Sequence, residues 1–348
     1  MTEILNMNNN SYNIDKIKFA ANIINNGGLV AFPTETVYGL GANGLNEEAV
    51  SKIFKAKGRP SDNPIILHIS NEEMLGDLVK DIPCSAQKLI KKYWPGPLTL
   101  IFKKSDIVPE IITAGMDTVA IRMPSNEIAQ SLIKEANVPI AAPSANISGR
   151  PSTTRTQHVI EDLYGKVDVI IASDNCEIGL ESTVLDISGK CPVLLRPGRI
   201  TLEELKSIIG QVEVDQGIIE QCDVIKVKSP GMKYKHYAPR AELKIVKGEI
   251  DSVINKINDM SRTYNKMGKT VGILATDQSK DKYSANKVLS IGDRFNPNEI
   301  MAKLFDSLRQ LDKYNVDIII SEGFSNEGIE LAITNRLNKA AGYDIINV

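Results

Sequence analysis

Apolar residues recur at Ile14, Ile17, Ala21 and Ile24, the spacing of one helix face, and predict a helix over 14–26. Gly27-Gly28 should end it, because glycine accepts the left-handed conformation beyond a helix C-terminus. A buried strand is expected over 29–32. Val50, Ile53 and Phe54 predict a second helix over 47–57, with Glu47 and Glu48 at its N-terminal end, where negative charge is favoured. A strand over 65–69 carries His68. The pattern then predicts a helix over 84–93 and strands over 98–102, 118–123, 139–142, 167–172, 183–187 and 193–196. Within 118–123, Val119 and Ile121 take one face and Arg122 the other. Thr201 and Glu204 have capping-box spacing for a helix over 202–209. Strands and helices mix without strict alternation. The expected fold is α/β (α+β), a twisted mixed sheet with helices around it.

From Gly210 to Arg240 the periodicity fades, and composition alone reads as a linker. A new rhythm then starts, with strands over 242–246, 270–274, 287–290 and 317–321 and helices near 249–265, 298–314 and 327–340. Such βαβ alternation predicts a smaller three-layer, Rossmann-like domain with a parallel sheet. The expected organisation is a catalytic domain over 1–211, a linker or lid over 212–240, and a C-terminal α/β domain over 241–348.

Composition narrows the classes. The 348 residues carry a formal net charge of −2, so nothing global calls for nucleic acid or an anionic membrane, and any basic site must be local. Cys84, Cys176, Cys191 and Cys222 form no CxxC pair, which argues against a structural zinc site and fits a reducing compartment. No apolar run nears the ~18 residues of a membrane span. The opening MTEILNMNNNSYN lacks the basic start and apolar core of a signal peptide. A cytoplasmic protein is expected.

The candidate chemistry lies first between Pro33 and His68. A Pro-Thr-Glu-Thr turn leads to Gly39, Gly41 and Gly44, read as a flexible segment, and then to Lys52, Lys55, Lys57 and Arg59 at a helix end. Those cations suit first a helix C-terminus, and alternatively a phosphate clamp. Arg122 and Arg196 lie on or at the end of apolar strands, where a charge is costly unless paired, and a carboxylate or phosphate ligand would supply the partner. Ser144, Asn146, Ser152 and Ser182 stand in strand-end loops, the usual crevice of α/β sheets. There is no GxSxG elbow, no HExxH and no Walker A sequence. His68, alone on an apolar strand, reads first as a core residue.

Taken together, PTETVYGLG, Lys57-Gly58-Arg59, RPSDNPIILHI, YWPGPLT, AIRMP, APSANISGRPS, ESTVLDI and LRPG resemble the threonylcarbamoyl-AMP synthase family, with its YrdC-like fold around a basic cavity. The KxR and SxN signature stands as Lys57, Arg59, Ser144 and Asn146, the residues to which the resemblance points for catalysis. SPGMKYKHYAP and the domain beyond it are similar to the long, two-domain form. The resemblance implies that L-threonine, bicarbonate and ATP give L-threonylcarbamoyladenylate, pyrophosphate and water. The product would serve N6-threonylcarbamoylation of tRNA adenosine 37. It implies a threonine pocket of Thr36, His68, Arg122, Ala142 and Ser182. For ATP it implies Arg59, Asn63, Thr118, Ser144, Ser152, Arg196 and His236, with Tyr234 and Tyr237 as neighbours. Mg2+ is expected with ATP, held mostly by phosphate and water oxygens, with no protein metal ligand named. Hand-off to the tRNA threonylcarbamoyl-transfer machinery is expected, with weak or no tRNA binding.

Two rivals share these residues. An RNA-binding module would use the same basic cavity, but the slight acidic balance disfavours it. Carbamoyl transfer of the hydrogenase-maturation kind comes with zinc-finger modules that paired CxxC motifs would reveal, and none is present. A segment bearing Tyr234, His236 and Tyr237 is also suited to close over a labile adenylate, as a lid over 229–239. Removing residues 229–348 should then impair threonine-dependent pyrophosphate release, and undiminished release would eliminate the lid.

Overall fold

A computed structural model describes residues 1–7, 13–218 and 237–348. These fall into two compact units, one of 1–148 with 152–218, the other of 149–151 with 237–348.

Eleven strands build the first unit's sheet among the described residues: β1 (Glu3–Asn6), β2 (Val30–Phe32), β3 (Gly39–Asn43), β4 (Leu67–His68), β5 (Leu98–Lys103), β6 (Thr118–Arg122), β7 (Ile140–Ala141), β8 (Val169–Ala172), β9 (Thr183–Asp186), β10 (Val193–Arg196) and β11 (Glu213–Val214). Their spatial order is β1-β8-β2-β3-β7-β4-β6-β5-β9-β10-β11. Parallel and antiparallel pairings alternate irregularly: β2 runs parallel to β8 but antiparallel to β3, and β6 parallel to β4 but antiparallel to β5. The sheet is mixed, as expected.

Helices α1 (Ile14–Asn25), α2 (Glu47–Lys57), α3 (Glu72–Leu78), α4 (Cys84–Tyr93), α5 (Glu110–Thr113), α6 (Glu127–Ala136), α7 (Thr156–Leu163) and α8 (Leu202–Ile209) accompany it. Local chemistry sets their ends. The Asn13 side chain accepts from the Asp15 and Lys16 amides at the start of α1, and Gly27 lies just past its end with φ +75°. Thr201 and Glu204 close the capping box of α8. Gly58, at φ 60°, caps α2 in the left-handed conformation and turns the chain directly after Lys57. One core cluster gathers Ile17 and Ile24 of α1, Leu132 and Ile133 of α6, and Val30 and Phe32 of β2. Each such side chain contributes about 1.5–3 kcal/mol by leaving water.

The structure changes the reading of the glycine-rich segment. Gly39 and Gly41 belong to strand β3, and neither has positive φ. They are glycine because the sheet is tight there: a Cβ on Gly41 would lie 2.9 Å from Phe32 Cε1 and 2.9 Å from Ile140 Cγ2. The expected strand over 65–69 shortens to β4, because the Ile65 amide leaves the ladder for the Ile112 carbonyl. Helices α3, α5, α6 and α7 and the edge strands β1 and β11 are additions to the sequence reading.

In the second unit β12 (Glu242–Lys247), α9 (Ile250–Lys266), β13 (Val271–Ala275), β14 (Lys287–Ser290), α10 (Pro297–Lys313), β15 (Ile318–Glu322), α11 (Glu330–Ala341) and β16 (Ile345–Asn347) form a parallel α/β domain. Its strand order is β14-β13-β15-β12-β16, parallel throughout. Val253, Ile254 and Ile257 of α9 pack on Val271, Ile273 and Ile320 of the sheet. No helix among the described residues is long and apolar enough to cross a membrane.

Gly41→Ala should lower stability by about 1–3 kcal/mol, since Phe32 and Ile140 must move. Gly76→Ala, inside α3 with nothing within 4 Å of the added carbon, should be neutral or slightly stabilising. Denaturant midpoints of the two variants check both; equal shifts would disprove the close-approach account.

Candidate active site

Strand pairing brings the first group of residues together. His68 on β4 stands opposite Arg122 on β6, and opposite Ile140 on β7. Ala142 comes directly after β7 and donates its amide to Ile66. Across the other edge of β6, Arg122 stands opposite Thr99 of β5. The Thr99 hydroxyl lies 2.7 Å from that of Ser182, just before β9. Thr36 reaches the same place from the turn after β2, its hydroxyl accepting from Arg122 Nη1 at 2.8 Å. Thr36, His68, Arg122, Ala142 and Ser182 thus lie along one arc across adjacent strands.

The turn itself is wired by hydroxyls. Thr34 Oγ1 donates to the Val37 carbonyl, accepts from the Thr36 amide, and lies 2.9 Å from Thr36 Oγ1. Between the two threonines, Glu35 sets Oε1 2.8 Å from Arg122 Nη2. The pair is almost fully buried, with 5% of the arginine and 7% of the glutamate side chain exposed. Arg122 Nε also donates to the Gly96 carbonyl at 3.2 Å. The partner that a buried arginine requires is therefore internal, and Glu35 is a site residue that the sequence reading passed over. Its place inside the Pro-Thr-Glu-Thr motif was the available signal.

Arg196 is likewise anchored, Nε to the Ser182 carbonyl at 3.0 Å and Nη2 to its hydroxyl at 3.1 Å. The adjacent Glu181 accepts from the Ser152 hydroxyl, another pairing absent from the sequence reading. Burial, and after it the nearby Arg122 charge, drives the His68 pKa down to about 3. The imidazole is therefore neutral wherever the protein works, and it can hold a hydrogen bond but not a charge.

A second group surrounds the end of α2. Lys57 is buried, and its ammonium donates to the carbonyls of both Ser144 and Asn146. The Ser148 amide returns a bond to the Lys57 carbonyl at 2.9 Å. Ser144 Oγ donates to Asn146 Oδ1 at 2.5 Å. The two signature pairs, KxR and SxN, are thus one hydrogen-bonded unit. Beyond Gly58, Arg59 Nη2 donates to the carbonyls of Asn63 at 3.1 Å and Pro64 at 2.8 Å. Asn63 is buried, and its side-chain oxygen meets no partner among the described residues.

Thr118 and Arg122 mark opposite ends of β6, about 13 Å apart at ~3.3 Å per residue. Tyr237 belongs to the second unit, where its ring stacks on Phe305 with centroids 5.2 Å apart. Tyr234, His236 and most of the lid segment 229–239 lie outside the described residues. Among those described, no group of three or more His, Cys, Asp or Glu is placed to hold a metal ion.

Comparison with known proteins identifies the family. Residues 22–198 match the Sua5, YciO and YrdC family model described as "Telomere recombination", and residues 200–342 match that of the threonylcarbamoyl-AMP synthase C-terminal domain. The threonylcarbamoyl-AMP synthase of Pyrococcus abyssi is 50% identical over 333 residues, 96% of each chain. That of Bacillus subtilis is 48% identical over 337 residues, 97% of this chain and 96% of the relative. The crystal structure of P. abyssi Sua5 complexed with L-threonine aligns at a TM-score of 0.95 and 49% identity, covering 100% of both chains. With both family models matched in order along one chain, this protein belongs to the Sua5/YrdC/YciO family, in the two-domain form that carries the threonylcarbamoyl-AMP synthase C-terminal domain.

Proposed function

We infer that this chain is an L-threonylcarbamoyladenylate synthase, a nucleotidyltransferase that joins L-threonine, bicarbonate and ATP and releases pyrophosphate and water. The observation that carries the reading is near-complete likeness, in sequence and in fold, to synthases of that name, one of them solved with L-threonine bound.

The geometry supports a division of labour. Arg122, fixed by Thr36, Glu35 and the Gly96 carbonyl, presents a guanidinium to the threonine carboxylate. Neutral His68 and the Ser182 hydroxyl are placed to read the side-chain hydroxyl, and a site built to bond a hydroxyl rejects analogues lacking it. Arg59, Arg196, Asn63, Ser144, Ser152 and Thr118 are the residues proposed to bind ATP. Lys57 acts through the Ser144–Asn146 turn that it holds.

The chemistry needs no protein nucleophile. A carbamate oxygen attacks the α-phosphorus in line and pyrophosphate departs, so the enzyme contributes positioning and fixed charge. Mg2+ enters as part of the substrate MgATP, carried by phosphate and water oxygens. The adenylate is proposed to pass to the machinery that modifies tRNA adenosine 37, without stable tRNA binding here, in the cytoplasm.

Steady-state kinetics of pyrophosphate release test the assignments. Arg122→Ala should raise the threonine KM by ~10–150-fold, the ~1.5–3 kcal/mol of hydrogen bonds to a charged group, with the ATP KM little changed. Arg59→Ala should raise the ATP KM on the same scale and leave the threonine KM. Unaltered kinetics in both variants would refute the site. Lys57→Met should lower the melting temperature as well as kcat, because it strands two carbonyls at about 1–3 kcal/mol each. A Lys57→Met protein that melts normally would contradict its tethering role.

A further inference from the structure

The Glu35–Arg122 pair touches without a directed hydrogen bond. Oε1 and Nη2 are 2.8 Å apart, yet neither oxygen of Glu35 nor Nη2 of Arg122 has a hydrogen-bond partner among the described residues. Both groups are buried, and a buried polar atom left unsatisfied costs about 1–3 kcal/mol. The two charges compensate each other across 2.8 Å, but the hydrogen-bonding capacity of these buried atoms is left over for a further partner. The neighbouring bonds hold the pair in place. Arg122 is anchored through Nε and Nη1, and the Glu35 backbone carbonyl accepts from the Ile178 amide at 2.8 Å.

An α-amino acid is the complement of that arrangement, with an anion and a cation about one atom apart. If its carboxylate takes Arg122 Nη2, its ammonium falls beside the carboxylate of Glu35. We propose that Glu35 binds the α-ammonium of the amino-acid substrate and takes the proton that frees the amine for carbamate formation. This rests on the assignment of threonine as substrate and names the group that reads its amine. One N–H bond of the ammonium breaks and its proton goes to Glu35. The freed lone pair forms the N–C bond with bicarbonate. The C–O bond of bicarbonate breaks, and the departing hydroxide takes a second amine proton and leaves as water. The carbamate keeps one N–H and one negative charge.

The other titratable groups facing this place are unsuited to the task. His68 is kept neutral by burial and by Arg122 and so offers no negative charge to an ammonium. The Cys176 thiol is pushed far up by burial, with Glu35 adding to the shift, and stays protonated. Glu181 already accepts from Ser152. Glu35 also lines a cavity of about 370 Å³ with Thr34, Asn126, Glu127, Asp174 and Glu177, a polar and acidic route by which the proton can reach solvent.

Calorimetric binding to the full chain tests the ammonium contact, using L-threonine and its analogue with hydroxyl in place of ammonium, 2,3-dihydroxybutanoate. The unmodified protein should prefer L-threonine by at least tenfold. Glu35→Gln should erase most of that preference while binding the analogue as before. Its threonine-dependent pyrophosphate release should be low at pH 7 and recover by about tenfold towards pH 9, where free amine forms without a base, whereas the unmodified enzyme stays nearly level. Equal binding of the two ligands by the unmodified protein would overturn the assignment whatever the variant does. So would a Glu35→Gln protein with full preference and an unchanged pH profile. If the unmodified protein does not bind L-threonine at all, the functional reading falls and this assignment falls with it.

Discussion

A guanidinium buried at the end of a central strand must be compensated, and that requirement shapes the first unit. Removing a cation from water costs several kcal/mol unless opposite charge and hydrogen bonds replace the solvent. Arg122 meets it with a carboxylate, a hydroxyl and a carbonyl drawn from separate parts of the chain. The turn after β2 delivers Glu35 and Thr36 together, and the internal bonds of Thr34 hold it there. The same charge helps to keep His68 neutral. One cation thus sets a turn, a protonation state and the polarity of the arc.

Lys57 is a second instance of the same physics with a different result. Its compensation comes from carbonyl oxygens rather than a carboxylate. The ammonium therefore retains its formal charge while fixing the backbone of the Ser144–Asn146 turn. Two motifs far apart in the chain become one hydrogen-bonded unit. The close packing of β2 on β3, where glycine replaces any side chain beside Phe32, lets that turn bridge to Gly39.

Much of this was readable from the residues, and the boundary is physical. Helix ends were legible where the determinant is local, as at Gly27 and at the Thr201–Glu204 box. Gly39 and Gly41 read as a flexible loop because the ring that excludes a side chain belongs to another strand. The helix at α6 was missed although Ile128, Leu132 and Ile133 have its period, because a short stretch between two strong strands was passed over. The signature residues stood out as motifs. Glu35 did not, because its importance lies in its distance from Arg122, and no pattern in a single sequence records what meets across 86 residues, the separation of Thr36 from that arginine. Lys57 stood out as one of a group of cations, but its bonds to the Ser144 and Asn146 carbonyls could not be read from the motif.

Strand β6 carries Thr118 at one end and Arg122 at the other. A strand held by neighbours on both sides cannot change its length, so it serves as a yardstick for whatever lies along it. A molecule that met both ends at once would have to match that span, so the strand would select by reach as well as by charge.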